Sequence, residues 1–89
     1  MPYFKNYSFM KIIVAGAAGE VTGSCYVIND EILVDCGLFQ GSRFAEKKNE
    51  DPFPFDAKKI KYVFITHAHL DHTGRLPKLV KEGFKGPIY

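Results

Sequence analysis

Four side chains that can bind metal ions lie within a span of six residues, positions 67–72 with the sequence HAHLDH. They follow directly after residues 62–65 (YVFI), an apolar and aromatic run that predicts a β-strand. Histidine and carboxylate are donors that zinc, iron and manganese accept. A turn can direct neighbouring side chains to one point, whereas a regular strand or helix separates them. The sequence therefore predicts a strand that ends in a metal-binding loop.

The spacing within this loop favours two metal ions rather than one. His67 and His69 are two residues apart, so in extended backbone both point to one side and can share an ion. Asp71 and His72 follow at a spacing that fits the start of a helix and can hold a second ion. Two adjacent ions stabilise the oxygens of a hydrolytic displacement and lower the pKa of a water molecule. A histidine-rich turn whose rings only make hydrogen bonds is the alternative that these residues leave open.

Several segments of the chain resemble one enzyme family. The motif HAHLDH after a strand resembles the HxHxDH metal-binding signature of the metallo-β-lactamase superfamily, and every position of the signature is filled. Residues 33–37 (LVDCG) resemble its earlier aspartate motif, and residues 16–25 (GAAGEVTGSC) resemble the opening loop of its β-CASP branch. Residues 73–77 (TGRLP) and 83–89 (GFKGPIY) also resemble prokaryotic members of that branch. The resemblance covers almost all of residues 10–89.

This resemblance implies a fold, a reaction and a cofactor. The fold is of the α/β (α+β) class, the N-terminal part of an αββα sandwich in which a β-meander is followed by a strand, a metal loop and a helix. The β-CASP branch contains RNA-processing nucleases, with some members that act on DNA. By the family pattern, His67 and His69 bind the first of two zinc ions, and Asp71 and His72 bind the second. Asp71 is also implied as the catalytic group that orients or deprotonates the attacking water.

Asp35 matches a family aspartate that holds the metal loop by hydrogen bonds. A carboxylate at the end of a buried apolar strand needs partners to offset its desolvation, and backbone amides of a metal loop can provide them. An exposed aspartate in a turn before Gly37 is the alternative.

The glycine-rich segment 16–24 invites comparison with phosphate-binding loops. It contains neither GxGxxG nor a Walker lysine, and a predicted strand follows it where such loops need a helix. The segment is therefore not predicted to bind a nucleotide. The family resemblance places it near the metal centre, which makes Glu20, Thr22 and Ser24 candidate contacts to substrate.

The remaining pattern predicts a meander and one helix. Residues 11–15 predict a strand covered on both faces, and residues 25–28 and 32–35 predict a hairpin with its turn at Asn29 and Asp30. Residues 38–56 lack regular periodicity and end in the segment PFPFD, whose phenylalanines are expected to pack onto the body. Residues 57–61 predict a short helical turn before the strand 61–65.

Residues 73–84 predict a helix that has Pro77 in its first turn. Its predicted apolar stripe, which faces the sheet, consists of Leu76, Leu79, Val80 and Phe84. The basic residues lie off that stripe: Arg75, Lys78, Lys81 and Lys85. Basic residues in this arrangement usually form a solvated helix face. The alternative is that their positive charge steers a phosphodiester to the metals. Arg75 and Lys78 are the candidate substrate contacts of this group.

The ligand set within the chain is too small for two zinc ions. All three histidines lie in the cluster, so each ion would have two protein ligands, whereas zinc sites use three or four. The family takes its further ligands from downstream segments. We therefore expect residues 1–89 to be the N-terminal portion of a longer hydrolase, with residues 1–9 as an extension, the β-CASP and C-terminal parts absent, and no activity alone.

Composition narrows the alternatives further. Hydrophobic residues make up 46% of the chain and charged residues 25%, which suits a packed core rather than a disordered segment. No run is long enough to span a bilayer and no signal peptide precedes the first strand, so cytoplasmic localisation is expected. Cys25 and Cys36 are expected to be buried thiols rather than a disulfide. An incomplete sheet predicts uncovered edges and self-association.

The predicted function is hydrolysis of RNA phosphodiester bonds by the intact parent. Within the superfamily, the alternative is hydrolysis of an ester, thioester or lactam. From a different class, the chain would be a non-catalytic fragment or an interaction module. The net charge of +2 is too small to favour nucleic acid by itself.

Overall fold

The computed structural model describes residues 10–16 and 22–89. Within them a four-stranded sheet has the order β1-β2-β3-β4, formed by Ile12–Gly16 (β1), Cys25–Ile28 (β2), Ile32–Val34 (β3) and Tyr62–Phe64 (β4). The first three strands are antiparallel neighbours and β4 is parallel to β3. The predicted meander and α+β class are confirmed. The predicted extension at residues 1–9 and the candidate contact Glu20 lie outside the described residues.

The hairpin between β2 and β3 forms where the sequence predicted it. Asn29 and Asp30 have φ angles of 52° and 63°, as a two-residue turn with left-handed backbone at both positions requires. The Asn29 side chain also accepts a 2.8 Å hydrogen bond from the Lys11 amide, which ties the turn to the start of β1. Strand β3 ends at Val34, one residue earlier than expected, because Asp35 leaves the extended region with φ 62°.

The described residues also form three short helices and two 3-10 turns. They are Arg43–Lys47 (α1), Leu70–Thr73 (α2) and Leu76–Lys81 (α3), with 3-10 turns at Lys48–Glu50 and Ala57–Lys59. The turn before β4 was predicted, whereas α1 was not. Its one clear signal is Ser42, whose hydroxyl accepts a hydrogen bond from the Ala45 amide and caps the helix.

The prediction of a single helix over residues 73–84 was wrong. Helix α2 ends at Thr73, and α3 begins only at Leu76, with Pro77 in its first turn. The break occurs because Arg75 adopts φ −98° and ψ 8°, and its amide donates to the Cys36 carbonyl at 2.8 Å rather than to a helical partner. A tertiary contact therefore decides where the helix begins.

The core lies between one face of the sheet, α3 and the segment that precedes β4. Its buried members are Cys25, Val27, Leu33, Cys36, Phe53, Ala57, Ile60, Val63, Leu79 and Phe84. Phe53 is buried and stacks on Phe55 with ring centroids 4.8 Å apart, so the expected packing of the phenylalanine pair is confirmed. In α3, Leu79 is fully buried but Val80 is 54% exposed, so the predicted stripe was wrong at Val80.

The opposite face of the sheet is apolar and exposed. Val14, Tyr26, Val34 and Phe64 are paired in register across all four strands. Val14 is 49% exposed, so the expectation that β1 is covered on both faces was wrong. The apolar sequence of β1 correctly predicted that both of its faces carry apolar side chains. Among the described residues, however, only one of these faces is covered. We call this row, with Ile12 and Tyr62, the open sheet face.

Two further expectations concern membranes and thiols. Across residues 10–16 and 22–89, every helix is too short or too polar to cross a bilayer. Cys25 and Cys36 are free and buried, as predicted. The hydrogen bond between the two thiols, followed by burial, raises the pKa of Cys36 far above its usual value.

Candidate metal centre

The candidate ligands lie where β4 ends and α2 begins. Strand β4 stops at Phe64, and His67 and His69 follow in an exposed loop. Helix α2 then carries Asp71 and His72. The His69 carbonyl accepts hydrogen bonds from the amides of His72 and Thr73 at 2.9 and 3.0 Å, which forms the first turn of α2. The loop thus brings all four predicted ligands to one end of the sheet.

Asp35 is the centre of the hydrogen-bond network behind this loop. It is 2% exposed, so the alternative of an exposed strand-end aspartate is wrong. Its carboxylate accepts hydrogen bonds from the amide and hydroxyl of Thr66, both at 2.7 Å, and from the Ser24 hydroxyl at 3.1 Å. The Nδ1 atom of His72 lies 2.7 Å from the same carboxylate. One side chain therefore joins β3, the metal loop and α2.

The network favours the ionised form of Asp35. Burial opposes ionisation, but the hydrogen bonds from Thr66, His72 and Ser24 outweigh it and hold the pKa of Asp35 below its usual value. An ionised acceptor favours the His72 tautomer that carries hydrogen on Nδ1. The lone pair of His72 is then on Nε2, the atom that faces away from Asp35 and is available to a metal ion.

Asp71 and His72 have the geometry of two ligands to one ion. The Nε2 atom of His72 is 3.5 Å from a carboxylate oxygen of Asp71. Two ligand atoms bound about 2.0–2.2 Å from a tetrahedral zinc ion are roughly 3.4 Å apart. The spacing and the donor types of these two residues are therefore compatible with one zinc ion.

His67 and His69 are less organised. Their ring centroids are 6.5 Å apart, while the His67 ring lies 4.6 Å from that of His72. The Nδ1 atom of His67 is 3.1 Å from the Thr66 hydroxyl. Among the residues that the structure describes, no three candidate ligands converge on a common point. Both rings lie in an exposed loop.

A backbone frame holds α2 against the sheet. The Asp71 carbonyl accepts from the Ser24 amide at 3.1 Å, and the His72 carbonyl accepts from the Cys36 amide at 2.8 Å. The Gly37 amide completes the frame by donating to the Ser24 carbonyl at 2.8 Å. A Cβ atom at Gly37 would overlap the Asp71 carbonyl, so glycine is required for this close approach.

Two of the predicted substrate contacts are engaged within the chain. The Thr22 hydroxyl donates to the Gln40 carbonyl at 3.1 Å and accepts from the Gln40 amide at 2.9 Å. Ser24 donates to Asp35. Ser24 adjoins the candidate centre through Asp35 and the Asp71 carbonyl, and both hydroxyls bond to other loops of the chain.

The prediction that Arg75 lies on a solvated basic face was wrong. Arg75 is 4% exposed, and its guanidinium lies against the rings of Phe39 and Phe53 at 4.7 and 5.3 Å. Lys78 is half-buried and donates to the carbonyls of Asn49, at 3.2 Å, and Asp51. Arg75 precedes α3, so a helical projection over residues 73–84 could not place it.

Sequence reasoning missed one residue of the site. Thr66 makes two hydrogen bonds to Asp35 and lies within 3.2 Å of His72 Nδ1. The only signal was a hydroxyl residue between the predicted strand and the first histidine. That signal is weak, because threonine is common at strand ends.

Comparison with known proteins identifies the family of this chain. The family model described as the metallo-beta-lactamase superfamily matches residues 18–89. The chain belongs to the metallo-β-lactamase superfamily. Ribonuclease TTHA0252 of Thermus thermophilus is 52% identical over 83 residues, which are 90% of this chain and 19% of the relative. The transcription termination factor FttA of Methanosarcina mazei is 36% identical over 91% of this chain and 13% of its own length.

The metallo-β-lactamase fold is also found by structural comparison. The metallo-beta-lactamase fold protein YhfI from Bacillus subtilis has a TM-score of 0.52 and 29% identity, and the match covers 82% of this chain and 30% of that one. The predicted superfamily and fold are therefore confirmed. The chain spans less than a fifth of the length of the curated relatives described above.

Proposed function

We propose that this chain is the N-terminal portion of a β-CASP phosphodiesterase that cleaves RNA with two zinc ions. His67 and His69 would hold one ion, and Asp71 and His72 the other. The observation that supports the proposal most directly is the contact between Asp71 and His72. The Nε2 atom of His72 lies 3.5 Å from an Asp71 carboxylate oxygen, and its Nδ1 atom lies 2.7 Å from the Asp35 carboxylate. The 52% identity to a ribonuclease supports RNA as the substrate.

The superfamily implies metal ions, and zinc supplies Lewis acidity that activates water and stabilises negative charge on oxygen. The protein's own contribution begins at Asp35, which fixes the ring of His72 and leaves its Nε2 atom as a donor. Asp71 is half-buried and presents a carboxylate that can take the proton of the attacking water. Asp35 itself stays away from substrate, because its four hydrogen bonds occupy both oxygens.

The proposal includes a requirement for further ligands. Two donors per ion are fewer than a stable zinc site uses, so we expect residues beyond this segment to complete the set and residues 1–89 to be inactive alone. A cytoplasmic location agrees with a role in RNA processing.

A chimera tests the function. In it, this chain replaces the matching segment of the Thermus ribonuclease, which supplies the rest of the protein. We expect cleavage of a single-stranded RNA oligonucleotide, and we expect His69→Ala and Asp71→Ala each to abolish cleavage while a cooperative thermal transition remains. Lys59→Gln, an exposed charge change at the 3-10 turn before β4, is the matched control and should cleave normally.

The same chimera is assayed on a thioester and a lactam. Turnover of either compound without RNA cleavage would replace the ribonuclease assignment by that of a small-molecule hydrolase. A folded chimera that cleaves none of the substrates would favour a non-catalytic segment.

A further inference from the structure

Arg75 is a buried cation. Within residues 10–16 and 22–89, it makes no ion pair with a carboxylate. Its charge is instead stabilised by two backbone carbonyls and two aromatic faces. Nε donates to the Gly37 carbonyl, and Nη2 lies 3.4 Å from the Gly23 carbonyl. Burying a guanidinium without a carboxylate partner costs free energy, so the contacts that Arg75 makes are expected to serve a role in the fold or the site.

The two carbonyls belong to the two loops that support α2. Gly23 precedes Ser24, whose amide holds the Asp71 carbonyl, and Gly37 follows Cys36, whose amide holds the His72 carbonyl. The Arg75 amide donates to the Cys36 carbonyl as well, so backbone and side chain of Arg75 hold consecutive peptide units. Arginine suits this position because its planar fork can reach two separate acceptors, which a lysine ammonium on a flexible stem does less well.

We propose that Arg75 is a positioning residue for the metal centre. It fixes the loops at Gly23 and Gly37, whose neighbouring amides set the positions of Asp71 and His72. The inference rests on the proposed function, because it assigns Arg75 to the ion that these two residues would bind. The proposal also predicts that the two ions respond differently. His67 and His69 lie in the exposed loop before α2, and within the part of the chain that the structure describes neither hydrogen-bonds to Gly23, Gly37 or their neighbours Ser24 and Cys36.

Amide hydrogen exchange in this chain tests the mechanical part without any metal. In Arg75→Gln, exchange at the Ser24 and Cys36 amides should accelerate about tenfold or more, as expected when a supporting hydrogen bond of roughly 1.4 kcal/mol is lost. Amides of the hairpin β2–β3 should keep their protection. Lys59→Gln removes an exposed charge and should change neither set.

Arg75→Lys is a second variant that keeps the test usable if Arg75→Gln does not fold. It keeps the charge but lacks the planar fork, and it should accelerate the same two amides while the hairpin stays protected. Unchanged exchange at Ser24 and Cys36 in a folded variant would overturn the proposal. Equal loss of protection throughout the sheet in both variants would also overturn it, since Arg75 would then be a general stabilising residue.

Cobalt titration of the chimera tests the link to metal. The parent should bind two Co²⁺ ions, followed by their visible absorption, whereas Arg75→Gln should bind one with unchanged affinity and the other at least tenfold more weakly. The kcat for RNA should fall and KM should stay constant. Equal weakening of both ions would contradict the assignment.

The two proposals fail in different ways. If the chimera cleaves no RNA but still shows the selective cobalt effect, the role of Arg75 stands and the ribonuclease function falls. If the parent chimera binds no cobalt, the proposed metal function falls and the assignment of Arg75 to a metal centre falls with it. Selective amide exchange would then identify Arg75 as a support for α2 only.

Discussion

At the scale of single residues, Asp35 joins the metal loop to α2 through hydrogen bonds with Thr66 and His72. Asp35→Asn preserves its volume but replaces one acceptor oxygen by a donor amide, which would face donors from Thr66, Ser24 or His72. We expect the variant chimera to lose about 10–100-fold in zinc affinity and to lose RNA turnover with it.

Metal content after gel filtration measures this effect. Asp51→Asn is the matched control, because Asp51 is exposed and its contact with Lys78 uses the backbone carbonyl. Full zinc content and normal turnover in Asp35→Asn would show that Asp35 is not needed to hold the metal loop and His72 in place.

Gly37 provides a second test at this scale. Gly37→Ala places a methyl group against the Asp71 carbonyl and the Ser24 amide, so the loops must separate. We expect a loss of about 1–3 kcal/mol in the free energy of unfolding and weaker zinc binding. Gly41→Ala is the comparison: φ of 108° makes it strained, but its Cβ would have open space. It should therefore cost stability and leave metal content unchanged, and equal metal loss in both variants would contradict the contact argument.

At the scale of elements, two adjacent residues of α3 differ in burial. Leu79 is fully buried and Val80 is 54% exposed. We expect Leu79→Ala to lower the free energy of unfolding by about 2–5 kcal/mol and Val80→Ala to change it by less than about 0.5 kcal/mol. Urea unfolding followed by circular dichroism measures both, and similar values would show that the packing of α3 differs from that described.

Elements were predictable where the determining interactions are local. The hairpin at Asn29 and Asp30 follows from turn residues between two β-branched segments, and strand β4 follows from its apolar run. The start of α3 was not predictable, because Arg75 leaves helical geometry to bond with Cys36, a residue 39 positions earlier in the numbering. The same long-range contact accompanies the burial of Arg75, although arginine is usually a surface residue.

The site shows the same division. The motif was sufficient to name His67, His69, Asp71 and His72, and a strand-end aspartate was sufficient to suggest Asp35. Thr66 was missed and Arg75 was assigned to a solvated basic face, because the contacts of both residues depend on which groups the fold brings near them. A sequence motif identifies donor types, whereas tertiary contacts decide which donors are held in place.

At the scale of the whole molecule, the open sheet face should control association. Its aligned row of apolar side chains is a large exposed patch of the kind that protein interfaces use. We expect the chain to self-associate in a concentration-dependent manner, and Val14→Lys with Phe64→Lys should shift it toward the monomer. Sedimentation velocity measures the change.

Phe44→Lys is the matched control for this prediction. Phe44 is 77% exposed but lies on α1, away from the sheet, and its replacement should leave association unchanged. A chain that stays monomeric at high concentration, or one for which Phe44→Lys is as effective as the sheet variant, would contradict the assignment of the interface.

The parallel pairing of β3 with β4 leads us to expect an order of events during folding. Asp35 and Thr66 are separated by 31 positions, and Arg75 and Gly23 by 52. The hairpin β2–β3 needs only a two-residue turn and can form within microseconds, whereas β4 must close a long loop before it finds its neighbour. We therefore expect the Asp35 carboxylate to stay hydrated until Thr66 and His72 reach it. A nascent chain leaving the ribosome would acquire its ion-binding geometry only after α3 has emerged.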